Sequence, residues 1–131
     1  MRSPKTELVL FSLAGVAGFL VDASIVWIFT RVGVDPITAQ AVAFTVAVTV
    51  TWLLNRRFTF AHRASPYWLR EWLHYVAANS VGAVVNNGVY ALLVLTIALF
   101  SKEPVLAVAA GSLAGLVFNF TASRALVFRL R

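Results

Sequence analysis

Four long runs of hydrophobic residues fill most of this chain, and the short segments between them carry most of its charge. A helix needs about 20 apolar residues to cross a hydrocarbon core of ~30 Å, and each run is long enough. Strands of a membrane barrel alternate polar and apolar positions over ~10 residues, whereas these runs are continuously apolar. The pattern predicts an all-α membrane protein with four transmembrane helices. The predicted spans are residues 8–30, 37–54, 73–100 and 104–122.

The segments that connect the runs differ in length. Residues 31–36 and 101–103 predict tight turns, so the four spans form two helical hairpins. The connection between the hairpins, residues 56–72, is rich in arginine and aromatic residues. Within it, Ser65 and Pro66 predict the N-cap and first position of a helix. We expect this helix to lie at the level of the lipid headgroups before the third span begins.

Basic residues are distributed unequally between the two predicted sides of the membrane. One side has only Arg31 and Lys102, each near an acid, and the other side has nine basic residues. The positive-inside rule places the side with nine in the cytoplasm, which predicts a multi-pass protein of the inner (cytoplasmic) membrane with both termini cytoplasmic. The nine are Arg2, Lys5, Arg56, Arg57, Arg63, Arg70, Arg124, Arg129 and Arg131.

Composition supports one membrane domain over residues 1–131, since 60% of the residues are hydrophobic and only 12% are charged. A soluble domain has roughly 45–50% apolar and about 25% charged residues. The net charge of +6 does not indicate nucleic-acid binding, because the arginines lie at the ends of apolar runs. The absence of cysteine from the sequence excludes disulfides and thiolate chemistry.

The two predicted hairpins resemble each other in sequence. An arginine followed four residues later by phenylalanine ends the second and fourth spans, as Arg56 with Phe60 and Arg124 with Phe128. Since two spans return the chain to its starting side, we expect parallel repeats about an axis along the membrane normal. We expect both phenylalanines in the interfacial aromatic belt. The first helices of the hairpins align Phe11, Gly18 and Asp22 with Tyr75, Gly82 and Asn86.

Asp22 is the most unusual residue, because it is an acid ~21 Å inside the first predicted span. The basic residues lie near the membrane faces, so we expect Asp22 to be protonated, hydrated or hydrogen-bonded to polar neighbours. It either joins helices as a neutral carboxyl group, or it contacts a polar substrate or exchanges a proton, and we favour the second role. The expected neighbours are Asn86, Asn87, Thr45 and Thr49.

Further candidates are three arginines and a set of asparagines. Arg56 and Arg124 occupy equivalent repeat positions, so we expect their guanidinium groups to converge on one phosphate. Arg57 is a further candidate for the phosphate, although we favour a simple anchor role for it. Asparagine side chains need partners in lipid, so they either bind sugar hydroxyls or bridge helices. With Asp22, the predicted intramembrane polar path comprises Asn86, Asn87, Asn79, Asn119 and Asn55. Two small-residue faces predict close helix packing: Ala14 with Gly18, and Ala107 with Gly111 and Gly115.

Sequence patterns of enzymes are not found in this chain. His62 and His74 are distant in sequence from acidic clusters, so we expect no metal site and no cofactor. Neither a nucleophile triad nor a glycine-rich phosphate loop is recognisable. We therefore predict a protein that is not an enzyme.

These residues resemble the GtrA-like family of four-span membrane proteins from Phe11 to Phe128. The resemblance is carried by Gly15, Gly18 and Asp22, by the run from Leu54 to Phe60, and by Asn119, Phe120, Arg124 and Phe128. One departure is Thr51, where the family often has asparagine.

The resemblance implies that the chain translocates a polyprenyl-phosphate-linked monosaccharide for cell-wall or surface polysaccharide synthesis. Its expected partners are this lipid, membrane glycosyltransferases and a second copy in a homodimer packed through the small-residue faces. Two other hypotheses stay open: a non-transporting scaffold that recruits a glycosyltransferase, and a small proton-coupled exporter of cationic compounds. The arginines and the fixed topology disfavour the exporter.

Overall fold

A computed structural model describes residues 3–129, which are helical almost throughout and contain no strand. Arg2 and Arg131 of the predicted cytoplasmic set lie outside the described residues. Helices α1 to α5 are Pro4–Arg31, Pro36–Leu54, Trp68–Thr96, Ala98–Lys102 and Pro104–Ala122. A five-residue π-helix continues α2 as π1, Asn55–Thr59, and another continues α5 as π2, Ser123–Val127. A 3₁₀ turn covers Ala61–Arg63.

Four of these helices are long and apolar enough to cross a membrane, in agreement with the number of spans predicted from the sequence. Local signals explain where they begin. The Ser3 hydroxyl accepts a hydrogen bond from the Thr6 N–H at 3.2 Å, and Asp35 accepts one from the Thr38 N–H at 2.9 Å. Both side chains thereby satisfy an N–H group that has no partner inside the helix. The full spans are Pro4–Arg31, Pro36–Thr59, Trp68–Thr96 and Pro104–Val127.

The connection between α1 and α2 turns at Gly33, whose φ of 94° lies in the left-handed region. A residue without a Cβ atom adopts this conformation at no steric cost, so glycine suits the turn after a helix. The Val34 N–H donates to the Phe29 carbonyl at 2.9 Å and closes the turn. The predicted tight turn at residues 31–36 is therefore confirmed.

Two predictions about α3 are wrong. The helix begins at Trp68 and runs without interruption to Thr96, so no separate headgroup-level helix precedes the span. Ser65 does not cap it, because its hydroxyl accepts from the Tyr67 N–H at 3.0 Å, inside the connecting loop.

The predicted end of the third span at residue 100 and the tight turn at residues 101–103 are also wrong. Ile97 is extended, with φ −124° and ψ 120°, and the short helix α4 follows it. The Ser101 hydroxyl donates to the Val94 carbonyl and holds α4 against the end of α3.

The described chain forms two compact units, and each is described by itself. Unit 1 runs to Trp72, and within it α1 packs against α2. Gly18 brings the two helices close, because a Cβ atom added there would overlap Thr51 Cγ2. The Phe60 ring is fully buried, with its centroid 6.4 Å from that of Phe11.

Unit 2 comprises Leu73–Arg129, and its interior has similar contacts between α3 and α5. Gly82 faces the Asn119 side chain so closely that a Cβ atom added to the glycine would overlap it. The Phe128 ring is fully buried, with its centroid 6.1 Å from that of Tyr75. The placement of Phe60 and Phe128 in an interfacial belt is therefore wrong, since both rings belong to the protein interior.

The two small-residue faces lie inside the units. Gly111 and Gly115 are buried against Asn86, and Gly18 is buried against Thr51 and the Ala47 carbonyl. Close packing is confirmed for these glycines, but their surface is used within each unit and does not provide the face expected for a homodimer.

Candidate functional site

Arg56 lies in the first turn of π1, immediately after α2 ends. Its Nη1 atom is 2.6 Å from Glu71 Oε1, and its side chain is 27% exposed. The guanidinium carbon lies 5.9 Å from the centroid of the Trp52 ring, within the range of a cation–π contact. One N–H of the guanidinium fork is therefore used by an internal acid, and the group is held in a fixed place.

Glu71 organises this part of unit 1, although it is not among the residues predicted from the sequence. Its side chain is fully buried and accepts three hydrogen bonds: at Oε1 from Trp52 Nε1 at 3.0 Å and from Arg56, and at Oε2 from the Ser65 backbone N–H at 2.6 Å. A buried carboxylate is stable only when its oxygens are satisfied in this way. The carboxylate thereby connects α2, π1, the loop and α3.

A second buried acid, Glu7, lies near the beginning of α1. Its Oε2 atom is 3.8 Å from Arg63 Nη2, and both side chains are at least 95% buried. Glu7 precedes Phe11 by four residues, just as Glu71 precedes Tyr75. This shared spacing is the sequence feature from which both buried acids could have been predicted.

A groove of about 460 Å³ opens beside π1, and it combines positive charge with an apolar wall. Arg57 is exposed at this groove and has no acidic partner within 4 Å among the described residues. The apolar wall consists of two leucines and a phenylalanine, of which Leu53 and Phe58 are each 50% exposed. The lining residues are Leu53, Leu54, Arg56, Arg57, Phe58 and Ala64.

Arg124 is half-buried in the first turn of π2, in unit 2. Its place in π2 matches that of Arg56 in π1, because each is the second residue of its π-helix. Each π-helix is closed by an i→i+5 bond: Phe60 N–H to Asn55 O at 2.8 Å, and Phe128 N–H to Ser123 O at 2.7 Å. Short π-helical segments of this kind are frequent at functional sites. The convergence of Arg56 and Arg124 on one phosphate stays a prediction.

Asp22 is half-buried in α1, 18 residues after Pro4 or ~27 Å along the helix axis. Its Oδ1 accepts a hydrogen bond from Gln40 Nε2 at 3.2 Å. The hydrogen-bonded state expected for this acid is thus observed, but its partner is a glutamine of α2 and not one of the four expected neighbours. The amide–carboxyl pair thus places hydrogen-bond donors and acceptors between two apolar helices, about one turn after α2 begins.

The asparagines of the predicted polar path fall into two groups. Asn79 and Asn87 lie on α3 and donate to carbonyls one turn back in their own helix, Tyr75 O and Ala83 O, both at 2.9 Å. Asn87 is also exposed. These two amides keep their acceptor oxygens available to other groups.

The remaining asparagines pack inside their units. Asn55 is buried at the start of π1 and accepts from the Thr59 hydroxyl at 2.8 Å. Asn86 lies against Gly111 and Gly115, and Asn119 lies against Gly82. Asn119 Oδ1 is buried and makes no hydrogen bond among the described residues. A sugar-binding role for these three side chains stays a prediction.

The four apolar spans, together with many large hydrophobic side chains on their outer faces, define a multi-pass membrane protein. Residues 10–128 match the family model described as "GtrA/DPMS, transmembrane domain". The chain belongs to this family, and the membership indicates a membrane function related to polyprenyl-phosphate sugars. A comparison with curated proteins gives no match.

Proposed function

We propose that this protein flips a polyprenyl-phosphate-linked monosaccharide across the cytoplasmic membrane, to supply the synthesis of cell-wall or surface polysaccharide. The observation that carries the proposal is the groove beside π1, where Arg56 and Arg57 adjoin the apolar side chains of Leu53, Leu54 and Phe58. A prenyl phosphate has the same two parts, an anionic headgroup and a long apolar chain. The family membership supports the same class of substrate.

Arginine suits the phosphate end of such a lipid, because its planar fork donates two parallel hydrogen bonds to phosphate oxygens. The buried carboxylate of Glu71 holds Arg56 in place at one nitrogen, which leaves the other donors of the fork to be directed at a ligand. Arg57 adds a second positive charge at the exposed side of the groove. In this proposal the two arginines capture the phosphate, and the prenyl chain stays in the hydrocarbon region of the membrane.

The sugar must then pass a hydrocarbon region where unsatisfied hydroxyl groups are costly. Asp22 and Gln40 form a hydrogen-bonded pair within the α1–α2 hairpin, and Asn87 exposes an amide on α3. We assign to these side chains the role of temporary partners for sugar hydroxyls. Carboxyl and amide groups are suited to it, because each can exchange one hydrogen-bond partner for another.

The same proposal includes topology and assembly. The excess of basic residues on one predicted side supports cytoplasmic termini in the inner membrane. Two parallel repeats are supported by the two π-helices, because Arg56 is the second residue of π1 and Arg124 is the second residue of π2. We propose a non-enzymatic homodimer that supplies membrane glycosyltransferases, with a contact surface other than the buried glycine faces.

Transport is tested in proteoliposomes with a short-chain polyprenyl-phosphate sugar whose accessibility in each leaflet is measured over time. We expect wild type to expose the lipid rapidly, Arg57→Ala to slow exposure, and Arg57→Lys to restore part of the rate. Arg70→Ala is the matched control, because Arg70 is exposed and does not line the groove. Equal rates of lipid exposure for Arg57→Ala and Arg70→Ala would show that Arg57 and its groove do not contribute to transport.

The scaffold hypothesis gives a different result in the same preparations. It predicts no exposure of the lipid by wild type, together with co-purification of a glycosyltransferase that is weakened by Arg57→Ala. That pair of results would replace the transport proposal.

A further inference from the structure

Each unit has a groove between its two spanning helices, at the level of its π-helix. Leu10 and Leu13 of α1 with Leu54 of α2 line the groove of unit 1. His74 and Ala77 of α3 with Ala122 of α5 line the groove of unit 2. These residues correspond in the repeat. The spacing is 64 residues in the first helix of each unit, from Leu10 to His74 and from Leu13 to Ala77, and 68 residues in the second helix, from Leu54 to Ala122.

The grooves differ in size and in polarity. The unit 1 groove holds about 180 Å³ and the unit 2 groove about 340 Å³. The larger volume follows from side chains, since alanines 77 and 122 stand where unit 1 has leucines 13 and 54. An imidazole also replaces an aliphatic side chain, because His74 stands where unit 1 has Leu10. Of these two corresponding grooves, the unit 2 groove is therefore the wider one, and it is the one that has an imidazole at its end.

The surroundings of the unit 2 groove identify its occupant. Its walls at Ala77, Val81 and Leu126 are exposed on two helices that are long and apolar enough to cross a membrane, so we expect a lipid chain to cover them. His74 follows Arg70 by four residues, which places it at the end of α3 nearest the basic side of the protein. An imidazole offers at least one N–H donor in either protonation state, so it suits an anionic headgroup at that end.

We propose that the unit 2 groove binds the isoprenoid chain of a polyprenyl phosphate, with the headgroup at the His74 end. This inference rests on the proposed function and adds a binding site for the chain. An isoprenoid chain carries a methyl branch on every repeating unit, and such branches need a channel with small residues on both walls. Alanines supply this space on both α3 and α5. An unbranched acyl chain gains less from such a channel, because lipid surrounds it equally well elsewhere.

The test uses a short-chain polyprenyl phosphate without sugar that carries a photoreactive group on its first isoprene unit. It is crosslinked to the full-length protein in nanodiscs, and the labelled residues are located by mass spectrometry. We expect label on the lining residues of the unit 2 groove. Ala77→Leu narrows this groove at an exposed position, and His74→Leu removes the imidazole; both install the residue that unit 1 carries there. Because the driving force in lipid is modest, we expect about fivefold less label in Ala77→Leu.

Leu13→Ala is the reciprocal control, since it widens the exposed groove of unit 1 and leaves unit 2 unchanged. It should keep the label in unit 2. Label that spreads evenly along all four spans would reject the unit 2 groove as the chain-binding site. The same conclusion follows if an excess of unbranched phospholipid removes the label as well as an excess of polyprenyl phosphate does. Crosslinking in unit 2 without flipping of any sugar lipid would keep the groove and reject transport. Flipping by the wild-type protein without any label on the unit 2 groove would reject the groove as the chain-binding site and would leave the transport proposal intact.

Discussion

The Glu71 carboxylate provides the sharpest test of how unit 1 is held together. Glu71→Gln preserves the size of the side chain but removes its charge and one acceptor. The amide oxygen can still accept from Trp52 or Arg56, whereas its NH₂ group would face the Ser65 N–H, a second donor. One buried donor is then left without a partner, and the ion pair to Arg56 is lost.

The magnitude follows from these two losses. A buried donor without a partner costs about 1–3 kcal/mol. The lost charge-assisted bond adds about 1 kcal/mol after a discount for screening, because Arg56 is 27% exposed. We therefore expect Glu71→Gln to lower the free energy of unfolding by about 3 kcal/mol. Reversible unfolding by SDS in mixed micelles, followed by circular dichroism, measures this quantity.

Glu103→Gln is the matched control, since Glu103 is exposed and lies at the start of α5 outside the buried cluster. It should change the free energy of unfolding by less than about 0.5 kcal/mol. The reasoning is refuted if both variants unfold at the same SDS concentration. It is also refuted if Glu71→Gln is more stable than wild type, because the buried charge would then be a net cost.

Two further predictions concern packing and pH. Gly111→Ala should lower the free energy of unfolding by about 2 kcal/mol in the same assay, because its Cβ atom would lie 2.6 Å from the Asn86 backbone oxygen. Gly88→Ala is the control, since a Cβ atom there meets open space and the substitution should be neutral or stabilising. Equal effects of the two substitutions would contradict close packing at Gly111. The hydroxyl and backbone N–H of Thr38 lower the pKa of the Asp35 carboxyl group below 3.8, so this cap stabilises α2 above pH 3.8 and is lost as pH falls through the lowered pKa. Carboxyl NMR titration should show the pKa rising in Thr38→Val, and an unchanged pKa would exclude the hydroxyl as its main cause.

Much of the helical architecture could be predicted from the sequence, because a continuous apolar run long enough for a membrane has few alternative structures. The break at Ile97 could not be, since isoleucine is apolar and the run continues through it into α4. The π-helices also escaped prediction, because adding one residue to a turn leaves an apolar pattern nearly unchanged. The predictions about Phe60 and Phe128 failed because an aromatic residue near a membrane face fits either an interfacial belt or a core.

The candidate site was predicted in part. Arg56 and Asp22 stood out because charged residues are rare beside or within apolar spans, whereas Arg57 was expected to act mainly as an anchor. Glu71 did not, because an acid in a basic connecting segment is usually solvated, and only the fold shows the three donors around it. Gln40 was missed as the partner of Asp22, since pairing across a hairpin depends on helix rotation that spacing alone does not determine.

The central claim is that this protein moves a polyprenyl-phosphate sugar between leaflets. The most direct measurement reconstitutes wild-type protein into liposomes with a fluorescent short-chain polyprenyl-phosphate sugar and adds a membrane-impermeant quencher of the label. The account predicts that the inner-leaflet fraction, protected in protein-free liposomes, becomes quenched in proportion to the amount of protein. A protected fraction that stays the same with and without protein, for several sugars, would contradict the account.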